Sequence, residues 1–303
     1  MVNEMHVQAL REFGLNAKLM YFPATGKVER FESLAPVLLA GEGIQAQTDD
    51  IFVVPESWSA LHKLLANTSA KKILHCQNPH YIFHGFDNIE SITKLKYDNI
   101  LACSQYVKDF FDKNAFNLEV DIVRPNIDEV FRPSNEGKNL QIAYMPRKRM
   151  AESIYIQGLF KSKYPKYRDI PWVVINELTK KECAKILKES VVFASLSFME
   201  GLGLPPLEAM KSGCICVGFT GLAGVEYAND KNGYWVEEGN YDQFAHFLAK
   251  ALDERNNIEL MNDRIKSYDS TLKIFSAEKF RSDLLKFWIK ILSNKINDFK
   301  IGQ

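Results

Sequence analysis

Two carboxylates stand eight positions apart around an unusual turn, in the stretch EGLGLPPLEAMKSG that runs from Glu200 to Gly213. A carboxylate accepts two hydroxyls at once, which suits a vicinal diol such as that of ribose. Gly201 and Gly203 put no side chain between the backbone and a ligand. Pro205 and Pro206 fit the first turn of a helix, where a missing N–H costs nothing, and Gly213 fits its end. The apolar run VVFASLS ahead of the turn reads as a strand. The unit is therefore strand, glycine turn, helix. A helix start of this kind favours a phosphate or diphosphate through its free N–H groups and its dipole. Glu208 lies in the first part of that helix. Glu200 precedes the turn and faces the far end of a bound diphosphate.

These residues need a scaffold, and the rest of the chain supplies the rhythm of one: short apolar runs, small turns, then helical patterns, as in parallel α/β units. In the first half, MHVQALREFG has helical spacing up to Gly14, and AKLMYF, DIFVVPE, KKILHC, DNILACS and LEVDIVRP read as strands. Ser57 is the expected N-cap of a helix in SWSALHKLLANTS, and Ser104 that of QYVKDFFDK. The strands are nearly continuous apolar runs, as expected when helices cover both faces of a sheet. The stretch RPNIDEVFRPSNEGKN, residues 124–139, is the expected linker. A second set follows it: strands in LQIAYMP, WVVI, VVFASLS, CICVGFT and GYWVE, and helices in MAESIYIQGLFKSKYP, TKKECAKILKES and YDQFAHFLAKALDE. The last of these gathers Phe244, Phe247, Leu248, Ala251 and Leu252 on one face. Two doubly wound domains follow from this order. Ligands bind at the carboxyl ends of such sheets, so the expected site is the cleft between them.

Composition narrows the partners. The chain has 303 residues, 38 basic and 38 acidic, so its formal net charge is zero and it has no global field toward nucleic acid. Its five cysteines form no CxxC pair, and with the histidines they show no zinc-type spacing; they read as reduced core thiols. No apolar run approaches the ~20 residues of a membrane span, and the N-terminus has no apolar signal segment, so a cytoplasmic protein is expected.

The stretch SLSFMEGLGLPPLEAMKSGCICVGFTGLAGVEYAND resembles the donor-site signature of family-4 retaining glycosyltransferases, with Glu200 and Glu208 at the E-x7-E spacing. ILACSQYVKDFF, VRPNIDEVFRP, IAYMPRKR and NGYWVEEGNYDQFAHFLAKAL are similar to other parts of that family. The resemblance implies the GT-B fold, two Rossmann-like domains facing a cleft. Residues 1–125 would form the acceptor side, 126–272 the nucleotide-sugar donor side, and helices in 273–303 would cross back to the first domain. It implies that Glu208 binds the ribose hydroxyls. Glu200 and the backbone of Gly201, Leu202, Gly203 and Leu204 would contact the sugar and diphosphate. A basic pair would neutralise the diphosphate without a metal ion or other cofactor. Arg147 and Lys148, with Arg149 as a third candidate, stand where that pair is expected, although relatives space it more widely. Gly221 and Leu222, in GLAGVE, would border the nucleotide. At the end of the KKILHC strand, His75, Gln77, Asn78 and His80 compete for the position facing the donor sugar. Gln77 and Asn78 lie at the strand end itself, whereas His75 reads as a core residue.

The implied activity is retaining transfer of a sugar from a UDP- or GDP-sugar to a glycan or lipid-linked acceptor, in surface polysaccharide or glycoconjugate synthesis. Relatives usually begin with a strand and a glycine-rich loop ahead of a helix like MHVQALREFG, so either the native start lies upstream or the first domain is shortened. That leaves two other readings: a non-catalytic nucleotide-sugar or glycan-binding partner subunit, and a nucleotide-sugar epimerase. Near the C-terminus, FRSDLLKFWIK offers Lys286, Trp288 and Lys290 for peripheral contact with a membrane. Packing on the first domain would instead bury Phe280, Leu284, Phe287 and Ile291.

Overall fold

The computed structural model describes residues 2–21, 36–39, 46–114, 118–133 and 137–301. Helix α1 (Val2–Glu12) opens the chain. Strands β1 (Leu19–Tyr21) and β2 (Val37–Leu39) pair in parallel as a small separate sheet. Strands β3 (Ile51–Pro55), β4 (Lys71–Cys76), β5 (Asn99–Ala102) and β6 (Val120–Ile122) form a four-stranded parallel sheet in chain order. Between them lie α2 (Ser59–Leu65), α3 (Ile82–Gly85), α4 (Ile89–Lys94) and α5 (Gln105–Lys113). Every residue of β5 and all but Lys71 of β4 are buried, as expected of central strands covered on both faces.

The second sheet holds β7 (Asn139–Tyr144), β8 (Trp172–Val174), β9 (Ser190–Glu200), β10 (Ile215–Leu222) and β11 (Tyr234–Trp235), in the order β11-β10-β9-β7-β8 and again parallel. Its crossovers are α6 (Met150–Lys163), α7 (Lys180–Glu189) and α8 (Leu204–Lys211), followed by α9 (Tyr241–Glu254), α10 (Ile258–Leu272) and α11 (Ala277–Ile301). A core of Ile142, Val192, Val217, Phe160, Phe244 and Leu248 fills one side of this sheet. On its other side, Phe193, Leu207 and Cys216 belong to a core that continues through Phe131 and Phe275 to Leu74 and Ile100 of the first sheet.

The last helix returns. Phe280, Leu284, Phe287 and Ile291 of α11 are buried against Ala9, Leu10, Ile73, Leu101 and Val123, closing the first domain from the far side. Trp288 is buried in the same cluster, and Lys290 donates to Asp121 at 2.7 Å. Among the described residues, no helix is long and apolar enough to cross a membrane.

Two local expectations change. Ser57 does not cap α2; Trp58 occupies the cap position, with no side-chain bond. Strand β9 runs past Ser197 as far as Glu200, which pairs with Leu222 of β10. Ser104 does cap α5, accepting from the Val107 amide. All five cysteines are free thiols.

Candidate active site

The carboxyl ends of the two sheets meet at the glycine turn. Met199 has a left-handed backbone, φ 48°, at the register shift that precedes Glu200, the last residue of β9. A Cβ on Gly201 would lie 1.8 Å from the carbonyl oxygen of Gln77, so only glycine lets the turn rest on the end of β4. Ser104 donates its hydroxyl to the Gly201 carbonyl, and Asn78 donates its side-chain amide to the Met199 carbonyl at 2.8 Å. Gly203 caps α8 at φ 85°, and Tyr227 donates to its carbonyl at 2.8 Å. Pro205 and Pro206 carry no N–H, so the amide donors left at this helix start are those of Gly203 and Leu204.

The three basic residues after β7 divide their work. Lys148 reaches across to β9, donating to Glu200 Oε1 at 2.8 Å and to the Phe198 carbonyl at 2.9 Å. Arg149 is buried with its guanidinium 4.5 Å from the Phe198 ring and 4.6 Å from the Phe219 ring. It donates to Glu152 at 2.7 Å and pairs with Glu238, so its charge is already matched within the domain. Arg147 is exposed and has no ion-pair partner among the described residues.

Glu208 is half-buried, and its carboxylate has no hydrogen-bond partner among the described residues. Burial pushes its carboxyl up to about 7, against the pull of Lys180 and with a further push from Asp128. A carboxylate held this way gains from hydroxyls brought to it. Gly221 and Leu222 both have positive φ, 67° and 74°, and Leu222 is exposed beside Glu200 in the sheet register. Glu226, in the same loop, is engaged instead with Arg124 and with the Gln105 amide at 2.9 Å, tying this loop to the crossing segment and to α5.

Gln77 and Asn78 are brought to the turn with different freedom. Asn78 is fully used: its backbone N–H donates to Glu56 Oε1 at 2.9 Å, its side-chain oxygen accepts from His80 N at 3.1 Å, and its amide grips Met199. Gln77 donates to Asn3 Oδ1 at 3.2 Å, and its own side-chain oxygen has no partner among the described residues. His75 is a core residue, as expected; burial pushes its imidazole down to about 4, and Nδ1 faces Asn3 Oδ1 at 3.0 Å. Sequence reasoning missed Glu56 and Asn3. Glu56 is 4% exposed, and burial raises its pKa; its only signal was a position directly after a strand. Asn3 carried no signal. Among the described residues, no group of three or more His, Cys, Asp or Glu side chains is placed to hold a metal ion.

Residues 172–268, which include both glutamates and the turn, match the family model described as glycosyl transferases group 1. The chain is 34% identical over 274 residues to an alpha-1,6-glucosyltransferase of Actinobacillus pleuropneumoniae serotype 7 (strain AP76), covering 88% of this chain and 82% of that relative. The chain is a group 1 glycosyltransferase.

Its fold is GT-B. A glycosyltransferase from Rickettsia africae superposes with TM-score 0.64 at 14% identity, covering 96% of this chain and 94% of the other. A TarM mutant of S. aureus, crystallised with UDP, alpha-GlcNAc-glycerol and Fondaparinux, superposes with TM-score 0.57 at 17% identity over 72% of this chain. The match spans about half of TarM, 51% of its length. In this glycosyltransferase the carbonyls of the glycine turn are held by side chains of the first domain. Lys148–Glu200 stands on one side of the turn and the unpartnered Glu208 on the other.

Proposed function

We propose that this glycosyltransferase takes glucose from UDP-glucose and joins it through an α-linkage to a hydroxyl of a sugar acceptor, the primary hydroxyl at C6 being the first choice. The single observation that carries the reading is the clamped turn flanked by a salt-bridged Glu200 and an unpartnered, partly buried Glu208. The kind of sugar and linkage is taken from the A. pleuropneumoniae relative, and UDP from the ligand of TarM.

In this reading Glu208 accepts the ribose hydroxyls, while the amides of Gly203 and Leu204 and the guanidinium of Arg147 meet the diphosphate. Lys148 neutralises the diphosphate on the sugar side. Glu200 and the free oxygen of Gln77 hold glucose hydroxyls. UDP-glucose is α-configured, so an α-linked product means retention. The acceptor oxygen bonds to C1 on the face from which the diphosphate departs. The C1–O bond breaks with its electron pair on the diphosphate, and the acceptor proton passes to the leaving phosphate oxygen. Charge neutralisation by the basic side chains and amides is the protein's part, with no metal ion required. Residues 1–125 then form the acceptor side, 126–272 the donor side, and 273–303 the returning helices. In this reading the reaction is cytoplasmic and serves glycoconjugate or polysaccharide synthesis.

The test is incubation of the protein with UDP-glucose and glucosides in the presence of EDTA, with the product linkage read by NMR. An α-linked product at C6 supports the reading. A β-linked product, or turnover only after a divalent metal is restored, overturns the mechanism.

A further inference from the structure

The first domain's wall of the cleft carries side chains that the donor reading leaves unused. A short 3-10 turn, Pro79–Tyr81, follows Asn78 directly, and the grip of Asn78 on Met199 fixes that turn against the donor site. His80 lies near enough to Lys148 and Glu200 for both charges to act on its imidazole. Its Nε2 meets the Tyr106 hydroxyl at 3.1 Å, while Nδ1 has no partner among the described residues. Tyr106 is the second residue of α5, whose cap Ser104 is itself bonded to Gly201, so this pair is also anchored to the donor turn. Tyr81 is 36% exposed, with Lys148 Nζ 5.7 Å from its ring centroid and the His84 ring at 5.5 Å.

An open imidazole nitrogen, a phenol hydroxyl and an exposed aromatic ring thus share one wall, with His80 and Tyr81 beside the Lys148–Glu200 pair and Tyr106 joined to it through His80. Burial and the neighbouring Lys148 ammonium hold His80 toward its neutral form, so the side chains of this wall offer hydrogen bonds and an apolar ring rather than charge. That combination fits a neutral ligand with hydroxyls on its edge and C–H groups on its face. We propose that His80, Tyr81 and Tyr106 form the seat of the acceptor sugar, a single pyranose ring lying against Tyr81 with its hydroxyls on His80 and Tyr106. This rests on the transfer reading above and adds the residues that choose the acceptor. A sugar seated there presents its hydroxymethyl arm to the space between Gln77 and Glu200.

The experiment compares wild type, Tyr81→Ala, Tyr81→Phe and His80→Ala. UDP affinity is measured by calorimetry and acceptor KM with isomaltose and methyl α-glucoside. Ligand-observed NMR of isomaltose on the UDP-saturated protein gives a readout that needs no turnover. Tyr81→Ala is expected to raise acceptor KM by about tenfold and to remove the NMR contact, with UDP affinity kept within about twofold. Tyr81→Phe, which retains the ring, recovers the contact, and His80→Ala weakens it. Unchanged acceptor KM and NMR contact in Tyr81→Ala overturn the proposal. So does a parallel loss of UDP affinity, which would put Tyr81 on the donor. If the wild type turns over no UDP-glucose but the Tyr81-dependent isomaltose contact persists, the donor reading fails and the seat stands.

Discussion

Replacing Glu208 with glutamine should make the empty protein more stable and the donor complex weaker, with both effects following pH. Burial raises this carboxyl from 4.5 to about 7. A group whose pKa rises on folding contributes stability that is complete below its unfolded value and lost as pH climbs through its folded value. The fold therefore carries little penalty from Glu208 near pH 4.5 and the whole of it at pH 8. The shift of about 2.5 units corresponds to at most about 3.4 kcal/mol at about 1.36 kcal/mol per unit. With Lys180 close by and the site partly open, about 1–3 kcal/mol is expected. Glu208→Gln should then melt roughly 2–8 °C higher at pH 8 and no higher at pH 4.5. The ribose hydroxyls prefer the ionised carboxylate, so wild type should bind UDP-glucose about tenfold more weakly at pH 6 than at pH 8, because only about a tenth of Glu208 is then ionised. UDP-glucose suits this assay because its diphosphate does not titrate in that range. The glutamine variant should lose that pH dependence and bind about 10–100 times more weakly at pH 8, the worth of hydrogen bonds to a charged group. Differential scanning fluorimetry and calorimetry across pH 4.5–8 read both effects. A variant that melts no higher at pH 8, or that binds UDP-glucose as tightly as wild type, would refute the assignment of Glu208 to an unpartnered ribose-binding role.

Three further outcomes follow from the geometry. Gly201→Ala puts a Cβ 1.8 Å from the Gln77 carbonyl and must part the two domain ends; glucose transfer should fall about a hundredfold, and wild-type kcat would show that the turn yields without cost. Lys148→Met should reduce kcat by about 10²–10³ while Arg147→Met mainly weakens UDP-glucose binding, since one is fixed at Glu200 and the other is free; identical kinetic profiles would remove that division of roles. The three N–H donors of Lys138 serve four carbonyls within 3.2 Å at the ends of α7 and α8, so Lys138→Met should lower the unfolding free energy by about 2–4 kcal/mol, measured by urea denaturation, with UDP affinity unchanged. A loss under about 0.5 kcal/mol would mean water replaces the ammonium.

What could be read from the sequence was whatever is encoded locally. The strand, glycine turn and helix around Glu200–Gly213 carry their own conformational demands, so β9, α8 and the positions of both glutamates were legible. The buried face of α11 was legible as well, because Phe280, Leu284, Phe287 and Ile291 repeat at helical spacing. The cluster Arg147–Lys148–Arg149 was legible only as charge. Which member faces the cleft depends on Phe198, Phe219, Glu152 and Glu238, which lie from three to about ninety positions away and meet Arg149 only once β7, β9 and β10 are paired.

The same limit explains Asn78, and it changes what the residue does. Strand-end position suggested an amide aimed at a sugar, but the fold spends every polar atom of that side chain on protein partners, one of them 121 positions distant. Asn3, Glu56 and Ser104 act in the same direction: they hold Gln77, Asn78 and Gly201 rather than face the ligand. A charged or hydroxyl-bearing ligand must be met by groups left open, and among the described residues these include Glu208, Arg147, the Gln77 oxygen, His80 Nδ1 and the amides of Gly203 and Leu204. The division between residues that hold the turn and residues that remain open is a property of the two sheets meeting, so no motif within either half could have announced it.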